Sequence, residues 1–137
     1  MDNSTQKIIQ TFFKHLSERN LQELIALFSN NVDWYIPGDT TKAAWLGRRS
    51  TRQEVGEVYE LLWKNTEPLS VTIENVFIND NQAVIAGEFS TKMLQTGRIV
   101  DSLFFILMTI EDNLIVKYRL LEDSLSVSKS LTLRDGN

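Results

Sequence analysis

The chain has no cysteine and a single histidine, His15. The first absence removes disulfides, thiol nucleophiles and thiolate metal sites, and the second removes any chelating histidine pair. No apolar run exceeds Leu103 to Met108, far short of the roughly 20 residues that span a bilayer. The opening MDNSTQKIIQ lacks the basic and then apolar segments of a secretory signal. Asn3-Ser4-Thr5 fits a glycosylation sequon, which without such a signal reads as accidental. A soluble, cytoplasmic protein is therefore expected. A net charge of −4 gives no electrostatic reason to expect nucleic acid or an anionic membrane as partner. Basic residues cluster once, at Arg48, Arg49 and Arg52, and read as a solvated face beside a helix start.

What is present is enough for a core. At 137 residues, with ordinary apolar and charged fractions, the chain fits one domain spanning 1–137. Ile8, Ile9, Phe12, Phe13 and Leu16 recur at helical spacing after Asn3 and Ser4 as candidate caps. Asn20 with Glu23 predicts a capping box ahead of Leu21, Leu24, Ile25, Leu27 and Phe28. Val32 to Ile36 reads as a strand stopped by Pro37-Gly38-Asp39. A loop through Trp45-Leu46-Gly47 follows. Thr51 with Glu54 then predicts a second capping box, and Val55, Val58, Tyr59, Leu62 and Trp63 a third apolar helix face.

The period then changes. Four strand-like segments run Leu69 to Ile78, Ala83 to Met93, Arg98 to Ile110 and Leu114 to Leu121. The breaks between them, Asn79-Asp80-Asn81, Gln95-Thr96-Gly97 and Glu111-Asp112-Asn113, are short and polar, which favours antiparallel hairpins over helical crossovers. A last helix is expected over Ser124 to Leu133. Helices first and long strands afterwards predict an α+β domain. Its N-terminal helices cover one face of a curved antiparallel sheet and enclose a cone-shaped cavity, the default ligand site.

The segments IIQTFFKHLSERNLQELIALFSNNVDWYIPG, WLGRRSTRQEV and TGRIVDSLFFILMTIEDNLIVKYRLLEDS resemble the nuclear transport factor 2-like superfamily, in its SnoaL-like and ketosteroid-isomerase-like branch. The resemblance implies a homodimer formed through the open sheet face, and a small hydrophobic or carbonyl-containing ligand. It implies chemistry that needs no cofactor or metal. On this scaffold, fold alone does not choose the activity. Where ketosteroid isomerases carry their carboxylate base, their tyrosine and their second acid, this chain places Ile36, Phe12 and a position near Phe105. Where limonene-epoxide hydrolases carry theirs, it places Trp34, Ile36, Gly87, Phe89 and Leu120; a slip of one residue offers Glu88 and Ser90, and still no arginine. Neither mechanism carries over. Polyketide cyclases of the SnoaL-like branch carry an acid after the last strand, matched here by Asp123 in DSLSVSKSL.

Strand alternation sorts the remaining candidates. Tyr118, Leu120 and Glu122 share one face, and Arg119, Leu121 and Asp123 the other. If Leu120 faces the cavity, as the comparison with limonene-epoxide hydrolases implies, Glu122 does too, closer to the rim, and Asp123 reads as the cap of the following helix ahead of a base. Asp101, in phase with Leu103 and Phe105, is a second candidate base; Glu88 is either a cavity acid or a solvent-face acid. Tyr118 or His15 would polarise a ligand carbonyl, while Trp34, Trp45 and Trp63 are either pocket lining or core. Two readings stay open: a cofactor-free cyclase or isomerase using Asp101 or Glu122 as base, and a non-catalytic ligand-binding or accessory dimerisation domain.

Overall fold

The structure, a computed structural model, describes residues 4–132. Asn3 of the sequon and Leu133 of the expected last helix lie outside the described residues. The elements run α1 (Ser4–Glu18), α2 (Leu21–Ile25), β1 (Phe28–Ile36), β2 (Gly47–Thr51), α3 (Arg52–Asn65), β3 (Thr66–Asn79), β4 (Gln82–Met93), β5 (Ile99–Glu111), β6 (Leu114–Glu122) and α4 (Ser124–Ser130). The six strands form one sheet in the order β2-β1-β6-β5-β4-β3. All neighbours are antiparallel except β1 and β6, which run parallel. This is the expected α+β architecture, with one strand pairing that no hairpin signal announces.

Registers define the two faces, since residues directly opposite in an antiparallel pair share a face. Opposite Met108, Ile106 and Phe104 on β5 stand Tyr118, Leu120 and Glu122 on β6. Phe104, Ile106, Met108 and Tyr118 are buried, so this is the inner face. Phe105 lies opposite Leu121, and Leu103 opposite Glu88, on an outer face where all four are exposed. α1 and α3 cover the inner face through Ile9, Phe12, Val55, Val58 and Tyr59, as their helical spacing predicts.

Polar side chains fasten the ends of these elements. Arg19 leaves α1 in the left-handed region (φ 52°) and donates to the carbonyls of Trp63 and Thr66, its guanidinium 5.7 Å from the Trp63 ring centre. Thr51 caps α3 by accepting from the Glu54 N–H, while the Glu54 carboxylate accepts from the Ser50 N–H. The expected box is thus present, with its return bond one residue further out. The box expected at Asn20 is not formed: its side chain makes no capping bond, and only its carbonyl accepts, from the Leu24 N–H.

The arginine cluster is structural rather than merely solvated. Arg49 donates to the carbonyls of Leu46 and Ala44, Arg52 to that of Phe28, and Arg48 lies 4.2 Å from the Tyr35 ring centre. Gly47 to Thr51, expected as loop and helix cap, is an edge strand. Its residues are mostly exposed and polar, so no alternation marks it.

Gly87 shows how closely the inner face is packed. A Cβ there would stand 2.9 Å from the Phe104 ring and inside contact distance of the Thr72 carbonyl oxygen. Gly87→Ala is expected to cost about 2–3 kcal/mol, because the obstacle is backbone that cannot step aside. Urea unfolding with an unchanged midpoint would show that the strand shifts freely.

Candidate functional site

The interior between the helices and the inner sheet face is aromatic. Trp34 on β1 stacks on Tyr118 of β6 with ring centres 4.1 Å apart and planes 10° apart. Parallel pairing puts the two residues in register, so the stack follows from the strand alignment. Tyr59 of α3 meets Trp34 edge-on at 5.7 Å, and Trp63 lies tilted against Tyr59 at 5.5 Å. Phe12 and Phe28 close the cluster on the helix side, 6.1 Å from Tyr118. Phe12, Trp34 and Ile36 are buried, and Leu120 and Trp63 are half-buried against the same core. Of the residues expected to line the cavity, these five lie in the packed interior.

Phe105 does not. It is 49% exposed on the outer face, and the inner position is taken by its neighbour Phe104. An alignment displaced by one residue turns a strand side chain to the opposite face. Glu88 and Asp101 are likewise exposed on the outer face. His15 sits on α1 with its side chain mostly buried, its Nδ1 3.7 Å from Glu18 Oε1 and without a hydrogen bond.

Glu122 is where the alternation places it, half-buried on the inner face at the end of β6. Burial pushes its carboxyl up to about 7, and its charge reaches Tyr118. Asp123 is the helix cap: its carboxylate accepts from the backbone N–H and the hydroxyl of Ser126, at 3.0 and 2.7 Å. These bonds hold its carboxyl below the usual range. The Asp123 N–H in turn donates to Ser102 Oγ at 2.9 Å, tying the end of β6 to β5.

At this notch lies a hollow of about 450 Å³, lined by Asp101, Ser102, Leu103, Phe105, Leu121, Glu122 and Asp123. Asp101 therefore borders the same hollow as Glu122, from the outer side. A second hollow, of about 370 Å³, lies between β1 and β2 beside Trp34, Arg48, Arg49 and Glu54.

Two buried polar atoms of the interior were not singled out by the sequence. Trp34 Nε1 and Tyr59 Oη have no hydrogen-bond partner. Burial pushes the Tyr59 and Tyr118 phenols up, so both stay protonated donors at working pH. Each also perturbs the other, although no hydrogen bond of normal geometry joins them. Helical periodicity could place Tyr59 in the core, and did; an unmet hydroxyl leaves no trace in a sequence.

With the geometry in view, comparison is informative. Residues 9–118 match the SnoaL-like domain. The chain belongs to that family. Among solved structures, an NTF2-like protein of unknown function from Burkholderia pseudomallei K96243 superposes with a TM-score of 0.87 at 15% identity, over 97% of this chain and 100% of the other. A Bacillus subtilis protein provisionally described as an isomerase gives 0.81 at 15%, over 95% of each chain. TerC, co-crystallized with polyporic acid, gives 0.82 at 12%, over 93% and 98%. At these identities the likeness concerns the fold. No curated protein matches the sequence. Among the described residues, no helix is long and apolar enough to cross a membrane.

Burial of Glu122 makes stability of this SnoaL-like domain pH-dependent. Its carboxyl rises from 4.5 to about 7 on folding, so the folded state binds that proton more tightly than the unfolded chain. The group costs nothing below the unfolded value and up to about 3 kcal/mol once pH has risen through the folded one. Glu122→Gln removes this dependence. Relative to the parent it is expected to gain nothing near about pH 4 and most above about pH 8. A stability difference that does not vary with pH in denaturant titrations would contradict the buried position.

Proposed function

We propose that this SnoaL-like protein binds a small apolar molecule bearing a conjugated carbonyl and moves a proton on it, without a cofactor, using Glu122 as the base. The observation that carries the reading is the position of Glu122, a carboxyl on the inner face of β6 in sequence with Tyr118 and bordering the 450 Å³ hollow. A base whose affinity for protons lies near neutrality can both take and return one. The carboxylate removes a proton from carbon. The C–H electron pair moves through the conjugated system to the carbonyl oxygen, giving an enolate. Return of the proton to another carbon is isomerisation; attack by the enolate carbon is cyclisation.

A non-catalytic binder is the alternative, favoured by Phe12 and Ile36, which stand where related isomerases handle protons. Hydrogen–deuterium exchange separates the two. With a panel of cyclic enones and aryl ketones, exchange followed by proton NMR is expected to exceed the buffer rate and to rise with pH as Glu122 ionises. It should fall by about 10²-fold or more in Glu122→Gln. Exchange at the buffer rate across the panel would leave the binder.

We also propose that two copies associate through the outer sheet face. Leu103, Phe105 and Leu121 are exposed there by 59, 49 and 54%, a contiguous apolar surface of the kind partners cover. Its acids, Glu88 and Asp101, lie on β4 and β5, while Lys117 and Arg119 lie on β6. A two-fold axis would bring unlike charges together, and the partner would roof the hollow at Glu122. Sedimentation equilibrium should show a dimer that Phe105→Glu dissociates; a monomer at all concentrations would refute the association.

A further inference from the structure

The ladder between β5 and β6 stops at the pair of Phe104 with Glu122. Its next pair would be Leu103 with Asp123. Along a strand inside a sheet, successive residues turn their main-chain groups to alternate neighbours. The Ile110 N–H donates to the Asn81 carbonyl on the β4 side, so by alternation back along β5 Leu103 turns its own groups to β6. Asp123 lies across from it, yet neither of its main-chain groups joins the ladder. Its N–H donates to Ser102 Oγ at 2.9 Å, and its carbonyl accepts from the Val127 N–H of α4 at 3.0 Å. The Ser102 hydroxyl in turn donates to the Leu103 carbonyl at 2.7 Å. One hydroxyl thus stands between the carbonyl and the N–H that a continued ladder would join directly.

We propose that Ser102 is a positioning residue, whose interposed hydroxyl holds the end of β6 off β5 and keeps the hollow at Glu122 open to a ligand. The hollow lies where this spacer acts: its three participants, Ser102, Leu103 and Asp123, all line it beside Glu122. Ser102 is 6% exposed, and its two hydrogen bonds hold the hydroxyl in place. A side-chain hydroxyl that takes over a main-chain partner competes with the ladder rather than extending it. An apolar residue at position 102 would leave the Leu103 carbonyl and the Asp123 N–H facing each other, and buried main-chain groups pair where they can. β6 would then close by one more residue pair, drawing Asp123 to β5 and narrowing the hollow. The far end of α4 is fixed separately, since Thr96 donates to the Ser130 carbonyl and Arg98 to that of Lys129. The displacement therefore falls on the start of α4 and on Glu122 beside it.

This inference rests on Glu122 as the acid of the proposed site, but its first test needs no ligand. In protein labelled with nitrogen-15 and carbon-13, scalar coupling across a hydrogen bond identifies the carbonyl that an amide is bonded to. The parent should show none between the Asp123 nitrogen and the Leu103 carbonyl carbon. Ser102→Ala should gain that coupling, and Ser102→Thr, which keeps the hydroxyl, should lack it. With the cyclic enones and aryl ketones named above, Ser102→Ala should slow proton exchange by up to about 10²-fold, the order that a displacement of about 1 Å costs. Ser102→Thr should restore it. Exchange at the buffer rate in the parent would remove Glu122 as base, and the coupling would still decide the spacer. It decides alone, too, should Ser102→Thr fail to fold. A Ser102→Ala protein without the coupling overturns the proposal, because the notch would then stand open unaided. So does the coupling in the parent, unchanged exchange once the ladder has closed, or a folded Ser102→Thr as slow as Ser102→Ala.

Discussion

The structure depends on the parallel register that sets Trp34 of β1 beside Tyr118 of β6. The two strands come from opposite ends of the chain, one from the helical half and one from the meander. Nothing local holds them together. The face-to-face stack, with its planes 10° apart, joins them on the inner side. On the outer side the Arg119 guanidinium binds the Asp33 carboxylate and carbonyl, both at 2.8 Å. The outer ion pair is exposed and screened, so it contributes little. The stacked rings, by contrast, bury on the order of 150–250 Å² each. Packing holds this joint, and electrostatics only aligns it.

That joint also fixes where the inner-face acid lies. Once Tyr118 is committed to the stack, strand period carries Leu120 and then Glu122 along the same inner face towards the open end. Leu120 keeps the intervening stretch apolar, which denies the Glu122 carboxylate a charged or hydrogen-bonding neighbour. Desolvation is accordingly the sole cause of its raised affinity for protons. One residue later the chain turns, Asp123 accepts from Ser126, and the second acid is spent on starting α4. Two adjacent carboxylates thus end in opposite electrostatic states, with Glu122 pushed up and Asp123 held down.

Much of this was legible in the sequence. The meander strands, the amphipathic faces of α1 and α3, and the split between Glu122 and Asp123 follow from periods of 3.6 and 2 that need no partner to be read. What escaped was of another kind. β2 is a polar edge strand, GRRST, and an edge exposed on both sides shows no alternation. Phe28 to Asn31 extends β1 backwards through Asn30 and Asn31, residues of poor strand propensity, because Ile115 donates to the Leu27 carbonyl. Phe105 was set on the inner face by comparison with one relative, one residue out of phase, while Leu120, and with it Tyr118 and Glu122, was set there by comparison with another and lies there. Alternation fixes which residues of a strand share a face; absolute phase borrowed from distant relatives was right for β6 and wrong for β5.

The same distinction bears on function. Family membership carries the sheet and the route of the chain through it, but Phe12 and Ile36 stand where the resemblance to ketosteroid isomerases would put proton-handling groups. A site on this scaffold must therefore be assembled from different residues, if it is to act on a carbonyl at all. Glu122 from the end of β6 and Tyr59 from α3 stand on elements that the fold already brings to Tyr118. Neither requires a new segment, only a polar atom at a position where apolar packing would have served the fold as well or better. A desolvated carboxyl and an unmet phenol both lower stability. Both stand on the inner side of the sheet, on elements packed against Tyr118, and there apolar side chains would have cost the fold less.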